Sequence, residues 1–180
     1  MHPFRFEDLL RGKLSRWFSG DGLDQVANQA IKVLNKIHRI APPCVLFCLM
    51  ATWCNAWCTA RRFQSQVGIC HLCRECNGDD SLEHYAICEA QWEMATSRLQ
   101  LHRGAFSFQR FLGLDPEHFD EVELQVCHVY AVKRSVDARR HMPDAGNGSS
   151  PARILWDGHK VVATHSTALR RRYSKIWLAG

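Results

Sequence analysis

The chain has 180 residues, of which 46% are hydrophobic, including six Trp and nine Phe, which is enough apolar bulk for one packed domain with appendages. Nine cysteines are many, but the number is odd and the opening Met-His-Pro-Phe-Arg-Phe-Glu-Asp is no signal peptide. A secreted disulfide framework is therefore excluded in favour of a reducing compartment (nucleus or cytoplasm), with thiols used for metal and packing. The net charge of +5 is modest but uneven: residues 131–180 carry ten Lys/Arg against three Asp/Glu, while the first 130 residues carry 13 against 15.

Residues 5–18 place Phe6, Leu9, Leu10, Leu14, Trp17 and Phe18 mostly at helical spacing, ending at Gly20-Asp21-Gly22. Leu23 to Ile40 repeats the pattern with Val26, Ala30, Val33, Leu34 and Ile37 on one face. Both read as amphipathic helices whose apolar stripes need a partner. Pro42-Pro43 breaks the chain and opens the next helix, where proline at the first turn costs little. From Ala41 to Ala60 no residue is charged. That length can span a bilayer, but Thr52, Asn55 and Thr59 are polar and both ends are basic, so a buried core helix is expected and no membrane contact. Cys44, Cys48, Cys54 and Cys58 fall on different faces of such a helix and read as packing thiols.

The stretch from Cys70 to Cys88 carries the clearest chemistry. Cys70 and Cys73 form a C-x2-C pair, and His84 and Cys88 follow four apart, on one face of a helix capped by Ser81. Asn77-Gly78-Asp79-Asp80 supplies the turn between the halves. Thiolate and imidazole in that pattern suit tetrahedral structural zinc, with Cys70, Cys73, His84 and Cys88 as ligands of a CCHC finger. Cys76 offers an alternative first pair, Cys73/Cys76; His71 reads as a bystander inside the turn. Downstream, Ser81 to Leu101 reads as one helix, Phe106 to Leu114 as an aromatic connection, and Asp115-Pro116-Glu117 as the start of a helix running to about Arg140. Met142 to Pro151 is a flexible break. Beyond it, Ile154-Leu155-Trp156 and Val161-Val162-Ala163 fit either a short hairpin or a helix continuing past Arg170-Arg171-Arg172 to Trp177, and helix is the preferred reading. The expected fold is mainly α: a helical domain over 1–141, a linker at 142–152 and a basic tail at 153–180.

The block Trp53-Cys54-Asn55-Ala56-Trp57-Cys58-Thr59-Ala60-Arg61-Arg62-Phe63, followed by Cys70-x2-Cys73, Asp80-Ser81-Leu82-Glu83-His84 and Cys88, resembles a known module. It is similar to the zinc-binding domain that follows the polymerase in reverse transcriptases of non-LTR (LINE-like) retrotransposons, over roughly residues 42–100. Many relatives have proline after the last cysteine, where this chain has Glu89 and can continue its helix. The resemblance implies an intact polyprotein acting as an RNA-directed DNA polymerase. This segment would hold or position the template and contact the polymerase domain.

No P-loop, G-x-S-x-G or H-E-x-x-H motif is present, and four protein ligands leave the zinc no open position for water. No catalytic residue is expected in the chain by itself. RNA or single-stranded DNA is the expected partner, through Arg61, Arg62, Arg139, Arg140, Lys160, Arg170, Arg171, Arg172 and Lys175, with Tyr173 and Trp177 placed to stack on bases or to pack a helix. Two other readings stay open: a zinc-stabilised protein-interaction scaffold, and, less well matched, a sequence-specific DNA finger. Asn77 and Ser81 stand where such a finger carries an aromatic residue and a leucine.

Overall fold

The computed structural model describes residues 5–63, 68–73, 76–102, 107–141 and 151–179. Helix α1 (Phe6–Leu14) has Glu7 and Asp8 in its first turn and Arg11 and Lys13 in its last, which matches the helix dipole, and it buries Leu10 and Leu14 one turn apart. It lies against α2 (Gly20–Ile37), whose Val26, Ala30, Val33 and Ile37 form the buried stripe that the sequence pattern predicts. Helix α3 (Pro43–Trp53) begins with proline at its first turn.

It also stops well short of Ala60. Asn55 turns left-handed at φ 50°, and the Trp57 indole folds back to donate to Thr52 Oγ1 at 2.9 Å, while Trp53 donates to the Leu112 carbonyl at 3.0 Å. The two indoles are both buried, so the uncharged run serves the core in two pieces, a helix and a set of turns. Among the described residues no helix is long and apolar enough to cross a membrane. Cys48 is buried, which pushes its thiol up to about 12, whereas Cys44 and Cys58 are exposed.

The expected single helix from Ser81 is likewise two: α4 (Leu82–Ile87) and α5 (Glu89–Ser97), separated at Cys88, whose backbone is extended (φ −61°, ψ 122°). A short α6 (Phe108–Phe111) and a 3-10 turn at Pro116–His118, capped by Asp115, lead to α7 (Val122–His141). Helix α7 is buried around much of its circumference, because α2, α3 and α8 all pack against it.

Residues 142–150 of the expected linker lie outside the described set. Beyond them the described residues are helical and contain no hairpin. Helices α8 (Pro151–His165) and α9 (Thr167–Ala179) dock on the core through Leu155, Val162, Leu169 and Tyr173. At Gly158 a Cβ would stand 2.9 Å from Ala131 Cβ, so the absent side chain lets α8 approach α7 closely. Tyr173 packs inward; the side chain of Trp177 lies outside the described residues.

A polar chain runs through this packed half. Gln91 Nε2 donates to the Ala86 carbonyl at 3.3 Å, which turns Gln91 Oε1 towards His128 Nε2 at 2.6 Å. An amide oxygen only accepts, so His128 carries its proton on Nε2 and accepts through Nδ1 from His159 Nε2 at 3.1 Å. His159 Nδ1 in turn accepts from the Tyr173 hydroxyl at 2.7 Å. Both rings are neutral: burial pushes His128 down to about 3 and His159 well below its usual value. The chain ties α5, α7, α8 and α9 together without a charge.

Candidate metal centre

Two short extended stretches hold the thiols. Cys70 N–H donates to the Gly78 carbonyl at 2.8 Å and Asp80 N–H to that of Gly68 at 3.3 Å, with Ile69 paired antiparallel to Asp79. Asn77 takes the left-handed turn at φ 52°. Gly78 has no room for a side chain, since a Cβ would fall 1.9 Å from the His84 ring. Ser81 Oγ accepts the His84 N–H at 3.1 Å and so starts α4, as a helix N-cap should. The extended backbone at Cys88 then returns the last thiol to the group.

Cys70 Sγ lies 3.7 Å from Cys73 Sγ and 3.9 Å from Cys88 Sγ, and Cys73 and Cys88 are 3.7 Å apart. A tetrahedron of sulfurs about 2.3 Å from a central ion has edges of about 3.8 Å. Three thiols thus already form one face of a metal site. Cys76 completes a group whose four sulfurs all lie within 4.8 Å of one another, and this group could hold a metal ion. The hydrogen bond with Cys88 lowers the Cys70 thiol below its usual range. His84 stands at the rim, with Nε2 3.1 Å from Cys76 Sγ. The structure therefore brings together all four sequence-predicted ligands and the spare cysteine: five donors for four positions. His71 is outside the thiol group and lies 3.8 Å from Asp80.

Asp80, read from sequence as an ordinary turn residue, is the buried node of the loop. Its carboxylate is 2% exposed and accepts from Ala60 N–H at 2.7 Å, the Tyr85 hydroxyl at 2.6 Å and Arg140 Nη2 at 2.7 and 2.9 Å. A buried carboxylate is tolerated when its charge is paired and its lone pairs are filled. Arg139 Nη1 donates to the Leu72 carbonyl at 2.7 Å. The last turn of α7 thus clamps the thiol loop: Arg139, buried, and Arg140, half-buried, both expected as nucleic-acid contacts, are paired with Leu72 and Asp80.

Comparison of the chain with protein-family models, with curated proteins and with solved structures returns no match. Function must be argued from the chain's own geometry.

Beside the thiol loop lies an open groove of about 770 Å³. Its walls carry Lys13, Arg16 and Trp17 from the end of α1, Arg61 and Arg62 from the turns after α3, and Glu83 of α4. Glu83 accepts from Trp17 Nε1 at 3.2 Å and faces Arg61 at 3.8 Å. Four cations against one carboxylate leave the groove strongly positive. Sequence reading found Arg61 and Arg62 but missed Lys13, Arg16 and Trp17, which reach the same place only through the α1–α3 packing. The other basic residues are elsewhere. Arg171, Arg172 and Lys175 line a second cleft beside Asp120 and Glu121, and Arg172 donates to the Asp120 carbonyl at 2.9 Å. Arg170 is exposed, and Lys160 is exposed and paired with Asp157 at 3.2 Å.

Proposed function

We propose that this chain is a nucleic-acid-binding module in which structural zinc orders one wall of a basic groove. The observation that carries the reading is the groove: four cations and an indole converge on the helix and loop that the thiols organise. Phosphates are recognised by such cations whatever the sequence, and an aromatic face can stack on an unpaired base. A sulfur-rich tetrahedral donor set favours zinc, and four protein ligands make that zinc structural rather than catalytic. The resemblance to retroelement reverse transcriptases fits this role: the segment holds RNA or single-stranded DNA for a polymerase domain of the same polyprotein.

Binding of a labelled single-stranded RNA, followed by anisotropy across a salt series, tests it. Arg61→Gln with Arg62→Gln should weaken binding for every sequence and flatten the log–log salt slope by roughly 1.4, about 0.7 per lost phosphate contact. Trp17→Ala should weaken it further, by about 1–3 kcal/mol, if the indole stacks. A second reading is favoured by one observation. Phe63, Ile69 and Ile87, next to the loop, are 66%, 57% and 58% exposed, which suits a protein-interaction scaffold. Absence of RNA and single-stranded DNA binding at low salt would transfer the conclusion to that reading.

A further inference from the structure

A second group of metal-ligating side chains lies well away from the thiols in the sequence, between the end of the α5 segment and the 3-10 turn. His118 Nδ1 is bonded to Asp115 Oδ2 at 2.8 Å. A carboxylate accepts, so the ring proton sits on Nδ1 and the Nε2 lone pair is left free. That Nε2 faces His102 Nδ1 at 3.3 Å. Two imidazole nitrogens bound to one tetrahedral ion at about 2.0–2.1 Å stand about 3.3–3.4 Å apart, the separation seen.

The supporting contacts are those a metal-binding histidine needs. Asp115 is itself fixed, because its Oδ1 accepts the Glu117 N–H at 3.0 Å. His102 is pinned through its backbone N–H, 3.0 and 3.1 Å from the two oxygens of Glu121, which Arg110 holds at 3.0 Å. The Asp115–His118 pair sets the tautomer and orientation of the His118 ring, while Glu121 fixes the backbone that carries His102. Behind them, Asp115, His118 and Glu121 share a void of about 10 Å³ with two buried side chains, Arg110 and Gln125. Among the described residues, Arg110 Nη1 and both amide atoms of Gln125 have no partner, and these residues are 2% and 4% exposed. The void has room for one ordered water, so the inner wall is polar and built. In front, His102, His118, Asp115 and Glu117 line an open groove of about 540 Å³. The exposed Glu117 offers a carboxylate within 4.8 Å of ligand atoms of Asp115 and His118.

We propose that His102 and His118 form a second metal site, open to solvent, for a borderline divalent transition ion such as zinc. Asp115 is the positioning residue for His118, and the remaining coordination positions face the open groove. Imidazole nitrogen selects such ions over magnesium or calcium, and a site with two protein ligands keeps positions for water. The inference is independent of nucleic-acid binding.

Titration of zinc into the full chain already carrying its thiol-bound equivalent tests the site by calorimetry. A second equivalent should bind with Kd below about 0.1 mM. His102→Ala, at an exposed side chain, should leave thermal stability unchanged and weaken the second equivalent roughly tenfold or more; Asp115→Asn should weaken it by about 10–100-fold. Cobalt at this site should show d–d bands without the sulfur-to-metal charge transfer of the thiol centre. No saturable second equivalent below about 1 mM, or one that His102→Ala leaves unchanged, would overturn the proposal and leave the two rings sharing an ordinary N–H···N hydrogen bond.

Discussion

The thiol loop and the imidazole chain both put polar groups into the interior, and they solve the cost in opposite ways. In the loop, three sulfurs crowd to edges of 3.7–3.9 Å and a fourth joins them within 4.8 Å. Such a group could hold a metal ion, and on the proposed reading binding that ion is part of folding. In the chain, each neutral group donates once along a line from Tyr173 to the Ala86 carbonyl, and nothing external is required. On the proposed reading one region is conditional on an ion; the other is conditional on a protonation state. The two therefore should fail under different treatments.

The largest effect is expected at the loop. Cys88→Ser should abolish stoichiometric metal and expose residues 68–88 to hydrogen exchange, because structural zinc supplies roughly 10–16 kcal/mol of apparent binding energy. The amides of α7 and α8 should stay protected. Equal loss of protection in both regions would break the comparison. Cys76→Ser should cost more metal affinity than His84→Ala, since Cys76 belongs to the group of mutually close sulfurs and His84 stands at its rim.

Acid should act on the other region. His128 has its pKa lowered to about 3 from 6.5, chiefly by burial. The unfolded chain therefore binds more protons than the native one between these values. Its contribution is fully present above pH 6.5 and is lost as pH falls from 6.5 towards 3, a total on the order of 5 kcal/mol. Urea unfolding at pH 7, 5 and 4 measures it. His159→Phe should cost about 2–4 kcal/mol at pH 7, by stranding His128 and Tyr173, and should flatten the acid dependence. An unchanged slope would place the acid sensitivity in the thiols instead.

A smaller loss is expected where the regions meet. Asp80→Asn removes the charge that Arg140 neutralises and should cost about 2–3 kcal/mol. It should also speed metal loss to a chelator without altering the pH slope, which would separate the clamp from the imidazole chain.

How far the sequence foretold this arrangement depends on how local each signal was. Helices α1, α2 and α7 carry their period in consecutive residues, and the cysteine spacing announced the metal group. The end of α3 was invisible because Trp57 and Thr52 decide it by a side-chain bond, with no proline or glycine nearby. The break at Cys88 has no local marker either; the thiol's direction imposes it. Arg139 and Arg140 look like a surface patch in one dimension, and only the fold turns them onto Leu72 and Asp80. His128 and His159, 31 residues apart, share no motif at all.

The clamp also sets an order in time. Cys70 and Cys88 are 18 residues apart, whereas Asp80 and Arg140 are 60 apart. Shorter loops close first, and a chain emerging from the ribosome presents the cysteines well before α7. On the proposed zinc reading, the nascent loop can therefore capture and exchange an ion while still unclamped. On that reading, arrival of Arg139 and Arg140 would convert that reversible capture into slow release, so ion selection would belong to synthesis and retention to the finished molecule.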